Sequence, residues 1–214
     1  MKYLPLDKSL FFKNRVLLKE KMKPNSLAIF NSNDIMPTNS DGSMPFIQNS
    51  DLFWLSGVDQ EESILILFPD HPVKAMQELL FLKETNEHIA IWEGAKLTKK
   101  QATDTSAINN IFWLDEFDQK LNSLVLQAEH IYLNKNIHNR ATSKTQTRDD
   151  RFRLMIQQKY PNKKICEIAP ILHELRAVKS DEEIALMQSA CNITEKGFRR
   201  ILPIIKPGIM EYEI

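Results

Sequence analysis

The chain has 214 residues, 43% hydrophobic and 26% charged, with 28 Lys plus Arg against 28 Asp plus Glu. That suffices for one large domain, or one domain and part of another, and a net charge of zero argues against a dedicated nucleic-acid binder. Five glycines, none spaced as GxGxxG, a P-loop or GxSxG, argue against nucleotide binding through such loops. Two cysteines (Cys166, Cys191), no signal-type apolar core and no run of roughly 18 apolar residues point to a cytoplasmic protein with no membrane partner.

Residues 8–22 read as a helix, with Leu10 and Phe11 repeated one heptad later as Leu17 and Leu18. Pro24-Asn25-Ser26 turns into a strand over Leu27–Phe30, and residues 31–45 form a loop rich in Asn, Ser, Asp and Pro. Leu52–Leu55, Ser63–Phe68 and Gln77–Leu82 are expected to form strands of an antiparallel meander. Ile89–Trp92 is read as a further strand. Thr98–Ala102 begins a helix, and Ile111–Leu114 is a strand. Asp115 is expected to cap a helix through Leu126. Ile131–Leu133 and Ile165–Ile168 are strands on either side of a charged helix over Lys144–Tyr160. The alternation predicts an α/β fold, a mixed β-sheet with helices around it.

The last forty residues differ in pattern. Ser180-Asp181-Glu182-Glu183 is a capping box. The helix it opens carries Ile184, Met187, Cys191, Thr194, Phe198 and Ile201 on one face and is ended by Pro203. Pro207-Gly208 turns the chain into MEYEI, where it stops. The expectation is a second domain cut short, with the partner of that helix lying in the missing part.

Several segments together resemble the aminopeptidase P (Xaa-Pro aminopeptidase) family. They are PFIQNSDLFWLSGVDQEESILIL, Ile91-Trp92-Glu93-Gly94, and His173-Glu174-Leu175-Arg176 followed by Lys179-Ser180-Asp181-Glu182-Glu183-Ile184. Lys206-Pro207-Gly208 with Glu211 completes the set. The resemblance implies a creatinase-type N-terminal domain over residues 1–172, its mixed sheet flanked by helices on both faces. Residues 173–214 would begin a truncated pita-bread catalytic domain. It implies a metallopeptidase that removes the residue before proline with a two-metal manganese centre, built in the family from two Asp, one His and two Glu. None of those ligands can be found here. Glu84, Glu87 and His88 read as a solvated turn, and Asp149-Asp150 and Asp115-Glu116-Asp118 as surface and helix-terminal acids. The 214 residues alone are therefore expected to be inactive and to bind no metal.

Two residues match family positions near the bound peptide. Asp41, in Asn39-Ser40-Asp41-Gly42-Ser43-Met44-Pro45, matches an aspartate in a polar network. Trp92 matches a tryptophan that lines a neighbouring subunit's active site in bacterial tetramers, although Glu93 replaces the aromatic often found after it. The family also uses an arginine in that network. Arg148, Arg151 and Arg153 are the nearest basic candidates, and each reads as part of a solvated helix face. Gln48–Asp51 are expected to satisfy loop backbone amides, with Phe53 and Trp54 packed inward. The implied partners are peptides with proline at the second position and further copies of the chain, as dimer or tetramer. The other readings are a non-catalytic peptide- or partner-binding module and a prolidase-like dipeptidase.

Overall fold

The computed structural model describes residues 5–140 and 143–214. The chain divides into two compact units, Met1–Leu175 and Arg176–Ile214. In the first, six strands form one mixed sheet: β1 (Ser26–Asn31), β2 (Ile64–Leu67), β3 (Glu78–Leu82), β4 (Ile111–Trp113), β5 (His130–Leu133) and β6 (Lys164–Glu167). Their order is β4-β3-β2-β1-β5-β6. The pairs β3–β4, β1–β5 and β5–β6 are parallel, whereas β2 runs antiparallel to both its neighbours.

The strands are apolar on both sides because both sides are covered. Ala28, Phe30, Leu65, Leu67, Leu80 and Leu82 face one core. There they meet α1 (Lys8–Lys21), α2 (Ser50–Ser56), α4 (Lys99–Ser106) and α7 (Ala169–Ala177) through Leu18, Leu52, Leu55, Ala102 and Leu172. The alternate residues Leu27, Ile29, Ile64, Ile66, Leu79 and Phe81 face a second core. That one is built by α5 (Phe117–Gln127) and α6 (Arg148–Lys159) through Phe117, Leu121, Leu124, Val125 and Ile156. A period of two with apolar residues at every step is the pattern of a doubly covered sheet.

The expected meander exists, but β1, not Leu52–Leu55, is its first strand. Residues 50–56 are helix α2 instead. Asn49 Oδ1 accepts from the amides of Asp51 and Leu52 at 3.0 and 3.3 Å, which starts the helix. Gly57, at φ +69°, ends it in the left-handed conformation. Ile89–Trp92 is likewise helical, within α3 (Glu87–Glu93), because Asn86 Oδ1 accepts from the Ile89 amide at 2.9 Å. Asp115 does not cap α5. It lies in a single 3₁₀ turn over Leu114–Glu116, and no side chain caps the helix that follows. The charged helix begins at Arg148, where Thr147 and Asp150 form a capping box, so residues 144–147 precede it.

The rings of the QNSDLFW stretch pack inward as expected. Phe53 meets Phe11 edge to face, with centroids 6.0 Å apart, and Trp54 packs on the first core. Gln48 does more than satisfy amides. Its Nε2 donates to the carbonyls of Val58 and Gln60 at 3.0 and 2.8 Å, while its Oε1 accepts from the Asn49 amide. A polar side chain thereby ties the entry of α2 to its exit.

Arg15 is fully buried on α1. Its Nε donates to Glu78 Oε2 of β3 at 3.0 Å, and one terminal nitrogen donates to the Leu55 carbonyl of α2 at 2.7 Å. Lys19 donates to the other Glu78 oxygen at 2.6 Å. Burial lowers the Arg15 pKa, and Glu78 opposes that shift. In the second unit, α8 (Asp181–Ile201) starts at the capping box read from sequence, with Ser180 Oγ accepting from the Glu183 amide at 3.2 Å. Ile184, Met187 and Phe198 on its apolar stripe are exposed.

Asp149 corrects a further expectation, because it is not a surface acid. It lies in the first turn of α6 and accepts from Asn31 Nδ2 of β1 at 2.9 Å. Burial pushes its carboxyl up from 3.8 to about 6, the Asn31 bond resists, and the charges of Asp51 and Asp150 add to the rise.

Two measurements follow from this packing. A Cβ at Gly57 would meet ring carbons of buried Phe11 at 2.2, 2.6 and 2.8 Å, on a backbone that already disfavours L side chains. Gly57→Ala should cost about 2–4 kcal/mol, read as a lower urea midpoint. A carboxyl whose folded pKa is raised binds protons more tightly when folded, so ionisation removes stability as pH rises through 3.8 to about 6. Asn at 149 keeps an oxygen for Asn31 and carries no charge, while the helix dipole, which favours the ion, offsets part of the gain. Asp149→Asn should therefore exceed wild type at neutral pH by on the order of 2 kcal/mol, and the gap should close as the buffer is acidified below the wild-type carboxyl's pKa.

Candidate functional site

The segment between β1 and α2 is held at both ends. The Ser32 amide donates to the Ser63 carbonyl at 2.9 Å, and the Ser63 amide donates to Ser32 Oγ at 3.3 Å. Asn33 Nδ2 donates to the Ile47 carbonyl at 3.0 Å. Between these ties the chain folds into a small hairpin. Pro37 bridges Ser43, the Thr38 amide donates to the Gly42 carbonyl at 3.0 Å, and the Met44 amide donates to the Met36 carbonyl at 2.8 Å. Ser40 turns the tip at φ +51°. Asp41 sits at that tip, exposed, next to a glycine whose Cβ would meet Thr38 Oγ1 at 2.8 Å. The loop of small polar residues is thus a formed turn that presents one carboxylate to solvent.

Trp92 projects from the last turn of α3 and is 79% exposed, beside Ile91 at 75%. Glu93 is anchored, since it accepts from Lys83 Nζ at 2.7 Å. That bond raises the Lys83 pKa and lowers the Glu93 pKa. Gly94, at φ +82°, then redirects the chain. Lys96 pairs with Glu61 and fixes the segment beyond. Among the described residues no hydrogen bond, ion pair or ring contact joins Asp41 to Trp92.

The three candidate arginines have three different fates. Arg153 pairs with Glu167. Arg151 donates to Asp34 Oδ1 at 2.6 Å. Arg148 departs furthest from a solvated face: it is half-buried, and its guanidinium donates to Ser32 Oγ at 2.6 Å. Burial lowers its pKa, and Asp34, Glu62 and Asp149 act against that shift. With Asn33, Asp34, Ile35, Glu62 and Arg151 it lines a cavity of about 240 Å³. No hydrogen bond joins Asp41 to any of the three. The reading of a solvated helix face overlooked one signal for this pocket. The capping box Thr147–Asp150 sets positions 148 and 151 one turn apart on one helix face.

Among the described residues, no three His, Cys, Asp or Glu side chains are grouped to hold a metal ion. His71 is buried and committed to Val73 backbone contacts and an edge-to-face contact with Phe68. No described helix is long and apolar enough to cross a membrane.

Comparison with known proteins follows the same outline. An Xaa-Pro aminopeptidase of Haemophilus influenzae is 26% identical over 209 residues, which is 98% of this chain and 46% of the relative. The solved aminopeptidase PepP of Pseudomonas aeruginosa superposes with a TM-score of 0.82 at 23% identity, over 99% of this chain and 48% of that one. Aminopeptidase P of Escherichia coli, solved with the inhibitor Pro-Leu, gives 0.78 at 23% identity, over 98% and 48%. The chain thus spans just under half the length of these three relatives. Residues 11–132 match the family described as aminopeptidase P, N-terminal domain, and the chain belongs to that family.

Proposed function

We propose that this chain is the N-terminal part of a metallo-aminopeptidase that removes the residue preceding an N-terminal proline. In this reading residues 1–172 form the domain that shapes the rim of the active site and residues 173–214 open the catalytic domain. The observation that carries it is the exposure of Asp41 and Trp92, each presented by a structured element and neither used by the domain's own core. A carboxylate at a hairpin tip can accept from the amine or amides of a peptide. An indole with most of its surface in solvent can close an apolar wall, including one in a neighbouring subunit of a dimer or tetramer. Proline makes such a dedicated wall useful: its tertiary amide offers no N–H, and its ring fixes φ, so recognition falls on shape.

The metal centre of such an enzyme, manganese in the family resemblance, does not fit the donors available here. We place it outside these 214 residues. The chain's own contribution is positional: Asp41 orients the peptide, and Trp92 excludes water beside the proline ring.

In the full-length protein, Asp41→Ala and Trp92→Ala should each lower kcat/KM for an Xaa-Pro peptide roughly ten- to hundredfold, the size of one lost charge-assisted bond or wall. Metal content and circular dichroism should not change. The Trp92→Ala defect should track the oligomeric state. Wild-type kinetics in both variants would remove these residues from the site. Residues 1–214 alone should show no Xaa-Pro turnover. Turnover with stoichiometric manganese after dialysis would overturn the placement of the catalytic centre.

A further inference from the structure

The cavity at the start of the β1–α2 segment is used by none of the roles above. Its lining brings two guanidinium groups, Arg148 and Arg151, next to two carboxylates, Asp34 and Glu62. These charges are not equally committed. Arg151 and Asp34 are paired at 2.6 Å. Glu62 lies 3.4 Å from Lys83, whose closer partner is Glu93 at 2.7 Å. Arg148 is half-buried; among the described residues its hydrogen bond goes to the neutral Ser32 hydroxyl, and although Asp34, Glu62 and Asp149 act on its charge, none is in an ion pair with it. Withdrawing a guanidinium from water without a directly bonded carboxylate is costly, and its planar fork of donors can hold a carboxylate by two parallel bonds. Glu62 is held in the left-handed region, at φ +52°, an unusual place for a residue with a side chain.

The sum of charge narrows the ligand. Two positive and two negative side chains line the space. A simple anion such as phosphate would meet both guanidinium groups but also two carboxylates, and a simple cation the reverse. A small molecule carrying one carboxylate and one ammonium satisfies both. The volume of about 240 Å³ suits an amino acid or dipeptide, and Ile35 offers a single apolar contact. We propose that this cavity binds a small zwitterion, an α-amino acid or dipeptide, with its carboxylate on Arg148 and its ammonium toward Glu62. The site is separate from Asp41 and Trp92 and stands or falls independently of the peptidase reading.

Amide chemical shifts of the 214-residue chain, followed during titration with L-alanine and with Ala-Ala, test it. One of the two should give saturable shifts at millimolar concentration in Ser32–Ile35, Glu62 and Arg148–Arg151, and the stronger binder fixes the charge spacing. N-acetyl-alanine and alaninamide, each lacking one charge, should bind at least tenfold more weakly. Inorganic phosphate should not compete. Arg148→Gln and Glu62→Gln should each weaken binding at least tenfold, and Arg148→Lys, which keeps the charge but loses the fork, should be intermediate. The spectrum of each variant outside the cavity reports whether it is folded. Absence of saturable shifts with either zwitterion would overturn the proposal. So would equal binding by the capped derivatives or phosphate, or unchanged affinity in a folded Arg148→Gln.

Discussion

The constraint behind this structure is that β1, at the middle of the sheet, is buried on both faces along its whole length. Leu27 and Ile29 belong to one core, Ala28 and Phe30 to the other. A strand in that position leaves no surface for chemistry. Polar function is pushed past its end, and the sequence changes there at once, from Leu-Ala-Ile-Phe to Asn31-Ser32-Asn33-Asp34. The carboxyl ends of β1 and β5 lie side by side because the two strands are parallel. Asn31 bonds Asp149, and Asn134, just past β5, donates to Asp51 at 2.8 Å. The crevice beyond the ends of parallel strands is where open α/β sheets place ligands.

Covering both faces also requires the helices to be fixed against a sheet of short strands. Most of that work is apolar packing, but Arg15 adds direction. It joins α1 to β3 through Glu78 and to α2 through Leu55, so one guanidinium relates three elements. Burying it carries a desolvation cost, which lowers its pKa, and Glu78 with Lys19 provides the compensating network.

The sheet and the long helices were legible because their signals are local and repeated. Leu10, Phe11, Leu17 and Leu18 mark α1, SILILF marks β2, and Ser180 to Glu183 marks the start of α8. Four-residue apolar runs were not legible. LFWL and IAIW fit a strand or a helical turn equally well, and a single asparagine decides each case by capping the amides that follow. Charge was misread where burial reversed it. Arg148 and Asp149 stand among other charged residues and read as solvated or surface groups, and only tertiary contacts reveal their partners. Asp41 and Trp92 are singled out through family likeness alone, since no rule of periodicity separates an exposed tryptophan that serves a partner from one left on a surface.

The hairpin that presents Asp41 and the cavity around Arg148 share one piece of chain. Ser32 is bound on three sides: its amide to the Ser63 carbonyl, and its hydroxyl to the Ser63 amide and the Arg148 guanidinium. Asn33, Asp34 and Ile35 line the cavity, and the hairpin bridge from Pro37 to Ser43 begins two residues later. Asn33 also ties the far side of the hairpin through the Ile47 carbonyl, so the hairpin has two legs that meet at the cavity wall. Among the described residues its tip makes no hydrogen bond to the core, and its position is set from this base. A hairpin anchored only at its root holds a carboxylate as steadily as the root is held. Arg148 and the Arg151–Asp34 pair hold that root to α6, which is itself fixed to β1 by Asp149. The polar network around Arg148 and Asp149 therefore fixes the root of the hairpin whose tip carries Asp41.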